Sequence, residues 1–105
     1  MEKMDNISGN LRGMIGSLKN NIVIDKIVGF GKHFVFRFDN SYGLSVLEKG
    51  EGQGPQYIAT VTKFDVADED YELDYTTPVA NNDVQTDNTD TIKHLLYLVK
   101  KLKSN

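Results

Sequence analysis

The side chains that could carry out chemistry in this chain are few and lie far apart in the sequence. There is no cysteine, and the only two histidines are His33 and His94. The lack of cysteine excludes disulfides, thiol catalysis and cysteine-ligated zinc. Neither histidine stands at a metal-ligand spacing or beside a candidate nucleophile, so we expect His33 to lie beside an aromatic side chain and His94 on the surface. We therefore predict no catalytic residue, no metal, no cofactor and no enzymatic activity.

Two further patterns resemble ligand-binding loops only superficially. Asp65, Asp68 and Asp70 are close enough in sequence to suggest calcium, but the central glycine and the final glutamate of an EF-hand loop are missing. The glycine-rich segments at 29–31 and 50–54 do not lie between a strand and a helix, and the lysine-serine pair of a Walker loop is absent. We expect both glycine segments to form turns.

Charge is distributed unevenly along the chain, whose net charge is −3. Residues 64–92 contain nine acidic residues and no Lys or Arg, whereas residues 93–105 contain four lysines and no acid. An acidic block attracts basic surfaces and repels phosphate backbones, so we expect no direct binding to nucleic acid. The alternative is that the block is a solvated loop and edge strand whose charge only keeps the protein soluble.

We predict that a partner is contacted by side chains of this acidic block together with one cation and one aromatic residue from the preceding strands. The predicted contact residues are Asp68, Glu69, Asp70, Glu72, Asp74, Arg37 and Tyr42. The five tyrosines could form an aromatic binding surface with Arg37, although aromatic residues that alternate along strands are more often part of a core.

The sequence pattern for the elements that would position these residues is clearest at 32–46. Phe34, Phe36 and Phe38 alternate with other residues at the period of a strand with one buried face, and the segment 39–41 (DNS) supplies turn residues. At the C-terminal end, the segment 89–103 carries an apolar stripe at helical spacing, with a candidate cap before it and lysines in its last turn. The predicted strands span 22–28, 33–39, 42–48, 57–62 and 71–74, and the predicted helices span 7–18 and 89–103.

Strands joined by short turns favour an antiparallel meander. We therefore predict an α+β fold with an antiparallel four- or five-stranded meander packed by a C-terminal helix, with a short N-terminal helix, in a single domain spanning residues 1–105. The predicted core residues are Phe34, Phe36, Phe38, Leu44, Val46, Ala59, Val61, Leu95, Leu96 and Val99. Glycines in the N-terminal segment permit close packing against another chain, so a homodimer through residues 7–28 is left open.

Several segments resemble a family of small uncharacterised bacteriophage and prophage proteins. The resemblance rests on the segments 39–46 (DNSYGLSV), 57–61 (YIATV), and 74–79 (DYTTPV) with 82–84 (NDV), followed by the terminal helix. It covers residues 33–103. The family pattern is an Asn-Gly-Tyr-Gly-x-Ser-Val hairpin and a Tyr-Asp-Thr-Pro segment. This chain departs from it at Ser41, which replaces a turn glycine, at Ala80-Asn81, and in the acidic insert around Asp68. The resemblance implies a phage context and brings no established activity.

Three kinds of function fit these observations. The first is a phage-type accessory protein that binds a host protein, such as a basic nucleic-acid-binding defence nuclease, and inhibits it by charge complementarity. The second is a protein that sequesters a nucleotide signal, which would need Arg12, Arg37 or Lys32 to face a pocket. The third is a virion or assembly protein. We expect the first, in the cytoplasm of a bacterial host cell, with no membrane segment, because the longest apolar runs are only a few residues.

Overall fold

The computed structural model describes residues 15–29, 31–50, 55–65 and 70–103. A 3-10 helix at Gly16–Asn21 leads into a six-stranded antiparallel sheet, which is followed by one α-helix. The strands are β1 (Ile22–Val28), β2 (Gly31–Arg37), β3 (Tyr42–Lys49), β4 (Tyr57–Phe64), β5 (Tyr71–Leu73) and β6 (Val84–Thr86), and the helix is α1 (Thr89–Lys100). The predicted α+β fold is thereby confirmed.

The sheet has the order β1-β2-β3-β4-β5, and β6 pairs with β4 beside β5. Sequential strands are neighbours because each of the first turns is short. The β2–β3 turn is closed by bonds between Phe38 and Tyr42 and between Ser41 and Phe38. The six-stranded sheet therefore starts as a simple meander and ends with two short strands that share one partner.

Some boundaries differ from the predictions. Strand β2 begins at Gly31 and ends at Arg37, and α1 ends at Lys100 rather than at residue 103. Strand β6 was not predicted, because three residues between Asp83 and Asp87 are too short to show an alternating pattern. Of the predicted helix at 7–18, the described part is the beginning of the 3-10 helix, and the rest lies outside the described residues.

Helix α1 forms where its capping residues and apolar stripe indicate. The Asn88 side chain accepts a hydrogen bond of 2.8 Å from the Asp90 backbone N–H, which satisfies one of the free donors of the first turn. Asp90 at the start and Lys100 at the end both complement the helix dipole. The buried stripe consists of Ile92, Leu95, Leu96 and Val99.

The core lies between α1 and one face of the sheet. All ten predicted core residues are buried there, and they are joined by Ile15, Leu18, Ile22, Tyr42, Tyr57 and Ile92. The expectation of only one buried face was wrong, because Val35 and Thr62, which point to the other face, are 0% exposed. In the part of the chain that the structure describes, no helix has the length and apolar character needed to cross a membrane.

Candidate functional site

Four strand ends meet at one end of the sheet and bring several predicted contact residues together. The register places Tyr42 opposite Lys63, and Lys63 opposite Glu72. In the adjacent row Phe64 lies opposite Tyr71, and Arg37 ends β2 opposite Gly43. We call this end, comprising Arg37, Tyr42, Lys63, Phe64, Tyr71 and Glu72, the distal sheet end.

Side chains of the distal sheet end divide between the two faces, because successive residues of a strand alternate. On the face toward α1, the Lys63 Nζ atom lies 5.5 Å from the centre of the Tyr42 ring. On the opposite face, the Arg37 guanidinium carbon lies 5.4 Å from the centre of the Phe64 ring. Both distances are within the range of a cation–π contact. The chain therefore places its own cations on the aromatic rings of this region.

Gly43 permits the packing on the second face. A Cβ atom at this position would lie 2.8 Å from both Phe64 Cε1 and Thr62 Oγ1, closer than side-chain contacts allow. Without that atom, the Phe64 ring lies across β3 toward Arg37. The Phe64 ring also contacts Tyr71, with ring centres 5.4 Å apart and an interplanar angle of 45°. Arg37, Phe64 and Tyr71 thus form a continuous stack across three strands.

A groove opens beside this stack at the end of β4 and the start of β5. It has a volume of about 570 Å³ and is lined by Lys63, Phe64, Asp65, Asp70, Tyr71 and Glu72. The Asp65 backbone N–H donates to the Asp70 carbonyl at 2.9 Å, which holds the two strands together at this point. Among the described residues, three carboxylates and one ammonium group line the groove, so this part of its lining carries a net negative charge. We call it the hairpin groove.

The other acids of the block are arranged along the same side of the sheet. Both β5 and β6 pair with β4, at its last and its first residues respectively. Between them, the Asp74 N–H donates to the Val61 carbonyl at 2.8 Å, and the Thr60 hydroxyl donates to Asp83 at 2.7 Å. Because β4 holds β5, β6 and the loop between them, five of the described acids lie along one edge of the sheet, which we call the acidic edge: Asp70, Glu72, Asp74, Asp83 and Asp87.

Three carboxylates of the acidic edge accept hydrogen bonds: those of Asp74, Asp83 and Asp87, the last from the Gln56 N–H. Asp74 Oδ1 accepts bonds from the Thr76 hydroxyl and the Thr76 N–H, and these bonds lower the pKa of Asp74. Asp83 Oδ1 accepts a bond of 3.0 Å from the Tyr75 hydroxyl, which raises the pKa of Tyr75. Asp74 and Asp83 therefore stabilise the loop between β5 and β6, whereas Asp70 and Glu72 line the groove.

The predicted contact residues now divide into groups. Asp70 and Glu72 are exposed in the hairpin groove, and Arg37 is half-buried over Phe64. Tyr42 is only 7% exposed and belongs to the core. This agrees with the alternative that aromatic residues alternating along strands are part of a core. Asp68 and Glu69 lie outside the described residues.

Two residues of the site, Lys63 and Phe64, were not predicted from the sequence, and Tyr71 was named only as one of five tyrosines of a possible aromatic surface. The alternation of exposed and buried residues in β4 continues past residue 62, through Lys63 and Phe64. This continuation was the signal from which the longer strand could have been predicted. The contact between Phe64 and Tyr71 follows only from the pairing of β4 with β5. Because strand pairing brings these two residues together, the composition of the acidic segment alone did not reveal the contact.

The remaining chemical candidates were His33 and the cations required by a nucleotide pocket. His33 Nε2 is hydrogen-bonded to the Ser45 hydroxyl at 2.8 Å, and His94 is exposed as expected. Arg37 lines a second groove of about 340 Å³ with Asn20, Asn21, Val23, Phe38 and Asp39. Arg12 lies outside the described residues. Within the described ranges, no group of three or more metal-ligating side chains is present.

Comparison of this chain with protein-family models, with curated proteins and with solved structures found no match. Its function is therefore inferred from the geometry and charge of the acidic edge and the hairpin groove.

Proposed function

We propose that this chain is a phage-type accessory protein that binds a basic host protein stoichiometrically through its acidic edge and inhibits it in the bacterial cytoplasm. The observation that carries the proposal is the attachment of β5, β6 and the intervening loop to a single strand, β4. This attachment places a run of acids in the sequence along one edge of the sheet.

A sheet edge that carries several like charges favours association with a basic surface. Charge complementarity raises the rate of encounter and restricts the orientation of the partner. A nucleic-acid-binding channel is such a surface, because it is lined by Lys and Arg that normally meet phosphates. Carboxylates held along one sheet edge supply a comparable array of negative charge. The resemblance to phage proteins supports a host target of this kind.

The experiment begins with capture of the partner from a bacterial host lysate and then measures binding kinetics with the purified partner. The test variant carries Glu72→Gln and Asp87→Asn. The amide introduced at position 87 keeps a side-chain oxygen, which can still accept the bond that Gln56 N–H donates to Asp87 at 2.7 Å. The control carries Asp39→Asn in the β2–β3 turn and Ser17→Lys in the 3-10 helix, two exposed positions outside the acidic edge. Both variants change the net charge by the same amount.

We expect the test variant to associate more slowly than the control and to show a weaker dependence of the association rate on salt. Both variants should keep the unfolding free energy of the parent within about 0.5 kcal/mol, because surface substitutions seldom exceed this effect. Equal association rates for the test and control variants would contradict the proposal and would leave the acidic edge as a solubilising surface.

A further inference from the structure

We propose that the outer face of α1 pairs, in an antiparallel arrangement, with the same face of a second copy of this chain. The face consists of Asp90, His94, Tyr97 and Lys101, which we call the outer stripe. All four residues are exposed, and Tyr97 keeps 44% of its surface accessible although it is a large aromatic residue. The outer stripe is a different surface from the acidic edge, so this inference does not depend on the proposed function.

The outer stripe lies directly opposite the buried stripe of α1. At about 3.6 residues per turn, its four side chains fall within about 60° of one another around the helix axis, and the buried side chains are centred about 180° away. Lys101, the C-cap residue, has αR dihedral angles (φ −89°, ψ −4°) and so continues the stripe. The sheet packs on the buried side of α1, so a second copy can approach the outer stripe without meeting the sheet.

The spacing of the outer stripe is the same in both directions. Successive members are four, three and four residues apart, which is the spacing of the a and d positions of a coiled coil. When two such stripes run antiparallel about a two-fold axis, the first member of one faces the last member of the other, and the second faces the third. Asp90 then lies opposite Lys101 of the second copy, and His94 lies opposite Tyr97 of the second copy.

Each contact in this register joins groups that attract each other or pack together. Asp90 and Lys101 carry opposite charges, and their pair occurs twice, once at each end of the dimer. His94 and Tyr97 are both aromatic, and they meet on either side of the two-fold axis, where their rings can stack. A parallel arrangement would instead place Asp90 against Asp90 and Lys101 against Lys101. Charge therefore selects the antiparallel register.

Two features keep this association weak. Lys93 and Lys100 lie along one flank of the outer stripe, and the two-fold axis brings Lys93 of one copy close to Lys100 of the other. The stripe from Asp90 to Lys101 is only about 17 Å long, so the contact buries less than the roughly 1,000 Å² that a stable interface needs. We expect a dissociation constant on the order of 0.5 mM.

Charge exchange tests the register. Asp90→Lys makes both end pairs basic, and Lys101→Glu makes both end pairs acidic, so each variant alone should dimerise about tenfold more weakly than the parent. In an equimolar mixture of the two variants, every end pair between unlike chains joins opposite charges, so association should return to about that of the parent. Translational diffusion measured by NMR from about 50 μM to about 1 mM reports the dimerisation, and thermal melts check that each variant folds.

Matched substitutions separate the outer stripe from its surroundings. Lys93→Glu makes the same change of charge as Lys101→Glu, two turns earlier on the helix. It places a carboxylate near Lys100 of the second copy, so we expect it to tighten the dimer about threefold. Tyr97→Ala should weaken the dimer severalfold, because the aromatic contact occurs twice. Leu73→Ala, which removes a side chain on β5 that is 50% exposed, should leave dimerisation unchanged.

The absence of cysteine from the chain permits a second measurement, because an introduced cysteine is the only thiol. In an equimolar mixture of Asp90→Cys and Lys101→Cys, oxidation should give mainly the mixed disulfide, because the register places these two positions opposite each other. Like positions lie about 17 Å apart in this register, beyond the roughly 7 Å between Cα atoms that a disulfide spans. Random collision would instead give like and mixed disulfides in similar amounts.

A parent chain whose diffusion does not change over this concentration range would overturn the pairing of α1. Equal dimerisation of Lys93→Glu and Lys101→Glu, or similar amounts of like and mixed disulfides, would also overturn it. Dimerisation that persists at parental strength in Asp90→Lys alone would place the interface on another surface, such as residues 7–28. The acidic edge is tested separately, with the host partner, so either proposal can fail while the other stands.

Discussion

The side-chain amide of Asn40 donates a hydrogen bond of 2.7 Å to the backbone carbonyl of Leu102. The same amide donates to the Val99 carbonyl at 2.9 Å, and the Asn40 side-chain oxygen accepts a bond from the Tyr42 N–H. One side chain in the β2–β3 turn therefore bonds the carbonyl of Leu102, just beyond α1, and that of Val99, which also accepts from the Leu102 N–H. This contact fixes the helix over the sheet.

Replacing Asn40 with Ala should lower the free energy of unfolding by about 1 to 3 kcal/mol, because partly buried carbonyls lose their donor. Asn40→Asp should be worse, since a carboxylate then faces the negative end of the helix dipole. Urea unfolding measures both effects. Asn81→Ala, an exposed residue away from α1, is the control and should stay close to the parent. Parent-like stability of Asn40→Asp would show that the contact with α1 is unimportant.

The same turn contains a strained residue. Ser41 has a φ of 69°, a left-handed conformation that costs a residue with a side chain about 1 to 2 kcal/mol. Ser41→Gly should remove this cost, and the greater freedom of glycine in the unfolded chain offsets part of the gain. We expect a net stabilisation of about 0.5 kcal/mol in urea unfolding. Ser41→Val should instead destabilise, and a stabilised valine variant would refute the assignment of strain.

The buried aromatic residues of β2 should dominate stability. Phe36 is fully buried, so Phe36→Ala should cost about 3 to 5 kcal/mol, enough to unfold a domain of ordinary marginal stability. Leu96→Asp should prevent folding because it buries an unpaired charge under α1. Ile27→Ala is the matched control, since Ile27 is 70% exposed and its loss should change the melting temperature very little. Similar melting of the Phe36 variant and the parent would contradict the core assignment.

The parts of the fold that could be predicted are those whose signals are local in sequence. The alternation of Phe34 and Phe36 and the stripe of α1 each lie within one element, so periodicity reveals them. The hairpin groove could not be predicted, because it arises where Phe64 and Tyr71, which are seven positions apart in the sequence, meet through strand pairing. Burial of Val35 on the second face likewise depends on tertiary packing, which a period of two does not encode.

The acid sensitivity of the fold should depend on His33, because burial and then the nearby charge of Lys26 lower its pKa below the ordinary value of 6.5. The groups that face the ring are Lys26 on β1, Leu47 on β3 and the Ser45 hydroxyl. Above the pKa of the unfolded chain both states carry a neutral imidazole, and stability is complete. As the pH falls below about 6.5, the unfolded chain binds a proton that the folded chain does not, so the free energy of unfolding falls until the lower folded pKa is passed.

Urea unfolding between about pH 7.5 and about pH 5.0 should therefore show a loss of stability on acidification that is absent from His33→Gln, whose amide nitrogen can donate to Ser45. His94→Gln, at the exposed histidine, should keep the full loss. Lys26→Met should reduce the loss, because removing the neighbouring cation brings the folded pKa of His33 closer to its ordinary value. The range ends at about pH 5.0 because Asp74, whose pKa is lowered by its bonds to Thr76, adds its own loss of stability only at lower pH. Identical pH profiles for the parent and His33→Gln would show that the half-buried imidazole does not control acid sensitivity.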